Sequence, residues 1–466
     1  MSEHARKLAP TPLADEAGDL VLWEIVEEHL AEAEFLLEQF DRALLSPVLT
    51  LDTLARGVEA RALSHIHGLL IGGKSVRERL LDPALRDPDP NEAGITTAAA
   101  VTVASTRDLD ALLPVLGHDS ALLRQRAVRA CVLTASDSTA LWLLRRLAGN
   151  PSANERASLF EACSALGVRV SPLVQWLQSD ELALVVAAAK AARHSDPTIH
   201  LPVIEYLLDH ADERVREAAL VASLAWGSPR AWSRCEERAL DPTQVERVPM
   251  ALYAALGGPS EHERLAKQLD RPSHVRAVLS ALAFSGNARL LPALCEQATT
   301  GEIPIRKLGA YAIATITGLV LSSIELTAAA KAEGGQTALP AEADTEDETA
   351  LPPFEDDPLD ADLAPPLEDA LPEPDPVALR RHTEHARKCL SPEVRWIGGK
   401  PFSLEALVTH MSGAPLGQRH ALGLSLFVRT RAKAWINTHS WSSAQREQAA
   451  RVADVVRSLD ARRGGW

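Results

Sequence analysis

The 466-residue chain predicts an all-α fold, an α-solenoid of stacked helix pairs, and three observations carry that expectation. The first is the stretch DERVREAALVASLAWG, residues 212 to 227. There Val215, Ala218, Ala219, Ala222, Ala225 and Trp226 take the i, i+3, i+4, i+7 spacing of one apolar helical stripe. Asp212 stands at the N-cap position and Gly227 where a left-handed stop belongs. Leu201, Ile204, Leu207 and Leu208 just upstream form a second stripe, so the unit is helix, turn, helix. The second observation is recurrence. Second helices end near Thr134, Gly167, His194, Gly227, Gly257, Gly286 and Gly318, in steps of 33, 27, 33, 30, 29 and 32 residues. Units of that length cannot bury a stripe alone and must stack. The third is composition: hydrophobic residues make up 46% but aromatics only 4%, so Ala, Leu and Val do the burying, which suits close helix pairs better than a sheet.

In chain order, residues 1–19 read as a flexible tail and 20–92 as an N-terminal helical cap. In that cap, Leu20 to Leu45 carries Leu22, Ile25, Val26, His29, Leu30 and Ala33 on one face. A second helix is expected from Leu51 to Ile71, stopped by Gly72 and Gly73. DPALRDPDPNEAG, residues 82 to 94, is turn chemistry and marks a boundary. Residues 93–331 form the repeat region, whose first helices are DLDALLPVL, TALWLLRRL, VSPLVQWL, IHLPVIEYLL, RAWSRCEERAL, EHERLAKQL and ARLLPALCEQA. Residues 332–378 break the pattern, with 15 acids, no basic residue and nine prolines, a composition that predicts a disordered acidic loop. Residues 379–466 read as a basic C-terminal helical cap, with helices at Leu404 to Met411, Leu416 to Val428 and SSAQREQAARVADVVRSL.

The net charge of −15 is polarised: 33 basic against 42 acidic side chains in residues 1–331, none against 15 in 332–378, and 15 against 6 in 379–466. Cys131, Cys163, Cys235, Cys295 and Cys389 lie far apart, four of them within apolar helical patterns, and read as reduced core thiols of a cytoplasmic protein. No apolar run of membrane length occurs and the start has no secretory h-region, so no membrane is expected.

DERVREAALVASLAWG and the weaker copies HDSALLRQRAVRACVL and RPSHVRAVLSALAFSG resemble HEAT repeats, over about residues 94 to 320. VEEHLAEAEFLLEQFDRALLSP with RALSHIHGLLIGG, and VRWIGGKPFSLEALVTHMSGAPLGQRHALGLSLFVRT near the end, are similar to the opening and closing segments of an uncharacterised bacterial HEAT-repeat family. Genes of that family often neighbour type VI secretion genes, and the resemblance implies handling of a secreted effector or spike component.

The best site candidate is a ladder of arginines near the start of successive second helices: Arg124, Arg156, Arg216, Arg247, Arg276 and Arg306, at intervals of 32, 60, 31, 29 and 30 residues. Asp119, Asn154, Asp212, Asp241, Asp270 and Glu302 stand a turn earlier. One reading is structural, the acid capping the helix and the arginine bracing the next repeat. The other is a row of guanidinium forks for an acidic partner. His382, His385 and Cys389 fall at i, i+3 and i+7, but a structural zinc needs four ligands and no second cluster is near, so no metal or cofactor is expected. His65 and His67 read as packing residues beside Gly68, and Trp142, Trp176 and Trp226 as core.

HEAT-like di-iron hydroxylases carry repeated His-Glu pairs, and here only His262 with Glu263 fits. HEAT-like DNA glycosylases imply a basic groove, whereas residues 1–331 are net acidic, which disfavours nucleic acid. No phosphate loop, G-x-S-x-G or H-E-x-x-H occurs. The expected function is thus a non-enzymatic protein-binding scaffold or adaptor, its partner another protein. The alternatives are a lyase- or hydroxylase-type enzyme on the same fold, or a nucleic-acid binder. A further expectation is that FEDDPLDADL, residues 354 to 363, docks within the molecule on the groove or the basic cap and competes with a partner.

Overall fold

The apolar stripes form helices and the helices stack in pairs. The computed structural model describes residues 21–87, 92–321 and 366–460. The N-terminal tail and FEDDPLDADL lie outside the described residues. The fold is all-α: among the described residues the only strands are the antiparallel two-residue pair Trp396–Ile397 and Lys400–Pro401.

Seven helix pairs run from Leu109 to Thr317 among the described residues. Their second helices are Ala121–Leu133, Ala153–Leu166, Leu182–Ala192, Glu213–Trp226, Arg247–Leu256, Val275–Leu282 and Ile303–Thr317. Each packs on the next, and the weakest joint lies between Glu213–Trp226 and Arg247–Leu256. Glu213–Trp226 is the type unit. Asp212 Oδ1 accepts from the amides of Arg214 and Val215, and Val215, Ala219, Ala222 and Ala225 are fully buried. Gly227 ends the helix in the left-handed region at φ 83°, which L side chains avoid.

The N-terminal region departs from expectation in three places. Trp23–Leu44 buries Val26, Ala33, Leu36, Leu37, Phe40 and Leu44, but Leu22 and Ile25 stay 69% and 48% exposed, while Trp23 beside them lies under Arg79. The second helix breaks at Gly57 into Leu51–Arg56 and Val58–Ile71. Gly72 and Gly73 do not stop it: the chain stays helical through Gly73–Val76, a π-helical turn at Arg77–Leu81, and Asp82–Arg86. Gly68 serves a crossing instead, since a Cβ there would stand 2.5 Å from His29 Cδ2. His65 Nδ1 shares a 3.0 Å hydrogen bond with His29 Nδ1.

The acidic loop ends earlier than its composition implies. Residues 366–375 carry a 3-10 turn, Leu367–Ala370, with Glu368, Leu371 and Asp375 buried, and Asp375 caps Pro376–Cys389. That helix packs on Leu291–Thr300 as the next layer.

Beyond it the chain turns back and runs over the C-terminal ends of the second helices, from the last repeat to the first. The amides of Gly398 and Gly399 donate to Thr315 O and Ile316 O, and the Trp396 amide to Gly286 O. Arg395 reaches the carbonyls of Ala254, Ala255, Gly257 and Phe284. Arg431 crosses Gly227, where a Cβ would lie within 1.8 Å of its Nη1. Trp435 Nε1 donates to Ala165 O and Trp441 Nε1 to Leu133 O. These donors satisfy carbonyls that every helix end leaves open, and the arginines meet the negative end of the helix dipole.

Between Lys400 and Arg431 the segment makes an excursion as Leu404–Gly413 and Leu416–Arg429. The second of these packs on Glu213–Trp226 and Arg247–Leu256, bridging the weak joint, and also touches Trp23–Leu44. The Leu416 and Gly417 amides donate to Leu49 O and Ser46 O. The last helix, Ser442–Asp460, is tied to the N-terminal region by Ser442, whose amide and hydroxyl both donate to buried Glu59 at 3.0 and 2.8 Å.

Candidate functional site

The ladder positions share one local cause. The second helices are capped by Ser120, Ser152 and Asp212, and an arginine four residues later curls back to carbonyls just before the cap. Arg124 Nη1 donates to His118 O and Asp119 O at 2.6 and 2.7 Å, and Arg216 Nη1 to His210 O and Ala211 O at 3.1 and 2.6 Å. Arg156 reaches Pro151 O and lies 4.0 Å over the Trp176 ring. Arg216 also joins the next repeat through Glu246 at 3.1 Å, where Arg238 meets the same carboxylate. These three arginines brace turns.

Of the acids placed one turn earlier, only Asp212 caps. Asn154 donates to Asp119 across the repeat boundary, Asp241 holds the amides of Thr243 and Gln244 in a turn, and Glu302 makes no side-chain cap. Serine takes the cap at 120 and 152 because it stands directly before the first helical residue.

The other half of the ladder differs. Arg247 is exposed. Arg276 Nη1 pairs with Glu368 Oε1 at 3.0 Å, Arg306 pairs with Glu373, and Lys307 Nζ donates to Glu368 O at 3.1 Å. Two carboxylates five residues apart thus sit on arginines one repeat apart.

The histidine and cysteine candidates are otherwise engaged. His382 Nε2 bonds Thr317 Oγ1 at 3.0 Å, and His385 Nε2 contacts the exposed Cys389 Sγ at 3.5 Å. His262 Nε2 bonds Ala254 O at 2.8 Å and is held neutral by burial, its pKa pushed down to about 4, while Glu263 faces Arg289. No group of three or more metal-type ligands occurs among the described residues. Trp142 and Trp226 pack half-buried on the core, and Trp142 Nε1 donates to Asp110.

A cavity of about 700 Å³, with no counterpart in the sequence expectations, opens on the inner face. One wall is built from second helices, by Val128, Arg129, Glu161, Lys190, Arg193 and Glu217 among others; the returning segment supplies the other wall with His420, Leu424 and Trp435 to His439. His420 and His439 stack at 4.4 Å, and burial lowers their pKa values to about 4 and about 3, so both are neutral. Burial, with Glu213 and Glu246 nearby, raises the Glu217 carboxyl to about 7. Arg193 lies 4.3 Å over the Trp435 ring, and burial lowers it only to about 10, so it keeps its charge. Residues 193, 217 and 435 fall in three unrelated stretches, and only their juxtaposition marks a site.

Fold and site together define an α-solenoid whose inner face is partly filled by its own C-terminal segment, with a cavity beside that segment and an arginine-lined edge. No protein-family model and no curated protein matches the chain. No helix among the described residues is long and apolar enough to cross a membrane.

Proposed function

We propose that the protein is a non-catalytic scaffold that binds an acidic, extended segment of another polypeptide along the edge formed by Arg247, Arg276 and Arg306. The observation that carries this reading is the seat of Glu368 and Glu373 on Arg276 and Arg306. Stacked helices lie about 8–10 Å apart, so a near-extended chain offers one carboxylate per repeat every few residues. Arg247, the next rung, is exposed. Residues 366–375 are then an in-built occupant that a partner displaces, held at the high effective concentration of a tethered ligand. The family resemblance would place that partner among secreted effector or spike components, and buried free Cys131, Cys163 and Cys235 suit the cytoplasm.

The test is a labelled peptide of residues 366–375 added in trans. It should bind the Glu368→Gln/Glu373→Gln chain more tightly than the unaltered chain, weaken between 0.1 and 1 M salt as the Debye length falls from about 10 to about 3 Å, and be lost with Arg276→Ala/Arg306→Ala. Binding indifferent to these arginines would refute the proposal.

One observation favours an enzyme instead, the Glu217 carboxyl held near neutrality inside a cavity. The groups beside it are committed: the Ser164 hydroxyl donates to Lys190 O at 3.0 Å, and Lys190 Nζ to Glu161 at 2.8 Å. Neither is poised as a nucleophile.

A further inference from the structure

The charges around the inner-face cavity do not balance. Arg129 pairs with Asp41, Lys190 with Glu161 at 2.8 Å, and Arg214 with Asp212 at 3.0 Å. Arg193 forms no ion pair among the described residues, and Glu161, whose charge reaches it, is paired with Lys190. The Arg193 Nε donates to His194 Nε2 at 3.2 Å and its Nη2 to Ser164 O at 3.2 Å, which leaves Nη1 with no acceptor among the described residues. A desolvated cation without an ion-pair partner of its own is costly, and an incoming anion reduces that cost. The remaining walls are mostly apolar, through Val128, Val132, Val221, Val248 and Leu424, and the volume falls in the range of small-ligand sites, about 300–1,000 Å³.

We infer that this cavity binds a single carboxylate carried on an apolar body, with Nη1 of Arg193 as its anchor and the valine and leucine walls covering the rest. A polyanion does not fit: among the described residues lining the cavity only Arg193 is a cation without an ion pair, the two histidines are neutral, and Glu217 opposes further negative charge. The Trp435 plane under the guanidinium holds it in place and keeps the anchor facing one direction. This site lies apart from the edge at Arg247 to Arg306. Its occupant is either a free aliphatic acid or the C-terminal residue of a peptide, which share the same chemistry.

Calorimetric titration of the full chain separates the cases. The probes are octanoate, octanamide, N-acetyl-trileucine and the amide of that peptide. At least one carboxylate should bind about tenfold or more tighter than its amide. Arg193→Gln should erase that preference, and Val128→Trp, which places an indole in the apolar wall from a half-buried position, should weaken binding of acid and amide alike. Binding of octanoate alone assigns a free acid, and binding of the peptide acid alone assigns a chain terminus; both support the site. Acid and amide binding equally, no binding of either acid up to millimolar concentration, or affinity unchanged by Val128→Trp would overturn it. If Arg193→Gln does not fold, the comparison of acid with amide on the unaltered chain still decides.

Discussion

Arg395 is the strongest single tie between the returning segment and the solenoid, and replacing it by methionine tests the tie. Its guanidinium donates to Gly257 O at 3.1 Å and to Ala254 O, Ala255 O and Phe284 O at 3.1, 2.6 and 2.8 Å, and it lies 5.1 Å over the Phe402 ring. No carboxylate among the described residues pairs with it, so its charge is met by the carbonyl ends of Arg247–Leu256 and Val275–Leu282, and desolvation holds its pKa well below the usual arginine value. Hydrogen bonds to a charged group contribute about 1.5–3 kcal/mol each, and desolvating the charge offsets several kcal/mol of their sum. Arg395→Met keeps the stem but leaves Gly257 O and Phe284 O open, while Ala254 O keeps His262 and Ala255 O keeps Arg429, so the expected loss is about 2–4 kcal/mol. Arg395→Lys, with its donors at one point, should lose about half of that. Urea unfolding followed by tryptophan fluorescence reads the change, with exposed Arg451→Met expected within about 0.5 kcal/mol of the unaltered chain. A loss below about 1 kcal/mol for Arg395→Met would refute the reasoning.

Two further substitutions probe other links. Glu217 has its pKa raised in the folded state to about 7. The unfolded chain therefore loses this proton first, and stability falls as pH rises from about 4.5 to about 7. Allowing for solvent screening at this half-exposed site, the cost above neutrality is about 1–2 kcal/mol, and Glu217→Gln should remove it, seen as a higher melting temperature at pH 8 and none at pH 4. Gly286→Ala meets both a left-handed φ of 64° and a Cβ position 2.2 Å from Trp396 O, so it should cost about 2 kcal/mol or more and loosen the returning segment, measured by limited proteolysis near Gly398.

The helix pairs were legible because each repeat restates the same signals. The stops read from sequence at Gly167, Gly227, Gly286 and Gly318 are all left-handed in the structure. The break at Gly57 was not legible, since one glycine in a helical pattern costs only about 1 kcal/mol and neighbours decide whether it breaks. The arginine spacing was visible for the same reason as the helices, but spacing alone does not distinguish Arg124, folded back on its own turn, from Arg276, turned toward Glu368. The returning segment left no periodic trace. Its contacts are single donors meeting carbonyls far along the chain, as Trp435 meets Ala165, and nothing local in Trp435 or Arg395 specifies such a partner. The cavity was invisible for that reason, because one of its walls is the returning segment.

The central claim is that this segment lies along the helix ends of the solenoid, and amide hydrogen exchange tests it most directly. The amides of Trp396, Gly398 and Gly399 donate to Gly286 O, Thr315 O and Ile316 O at 2.8, 2.9 and 3.0 Å, and those of Leu416 and Gly417 to Leu49 O and Ser46 O at 2.7 and 2.8 Å. All five donate outside any helix of their own, so protection there reports the long-range contact alone. They should exchange as slowly as amides within Glu213–Trp226, and together with one another. Exchange of these amides on the timescale of an open loop, while Glu213–Trp226 stays protected, would contradict the account.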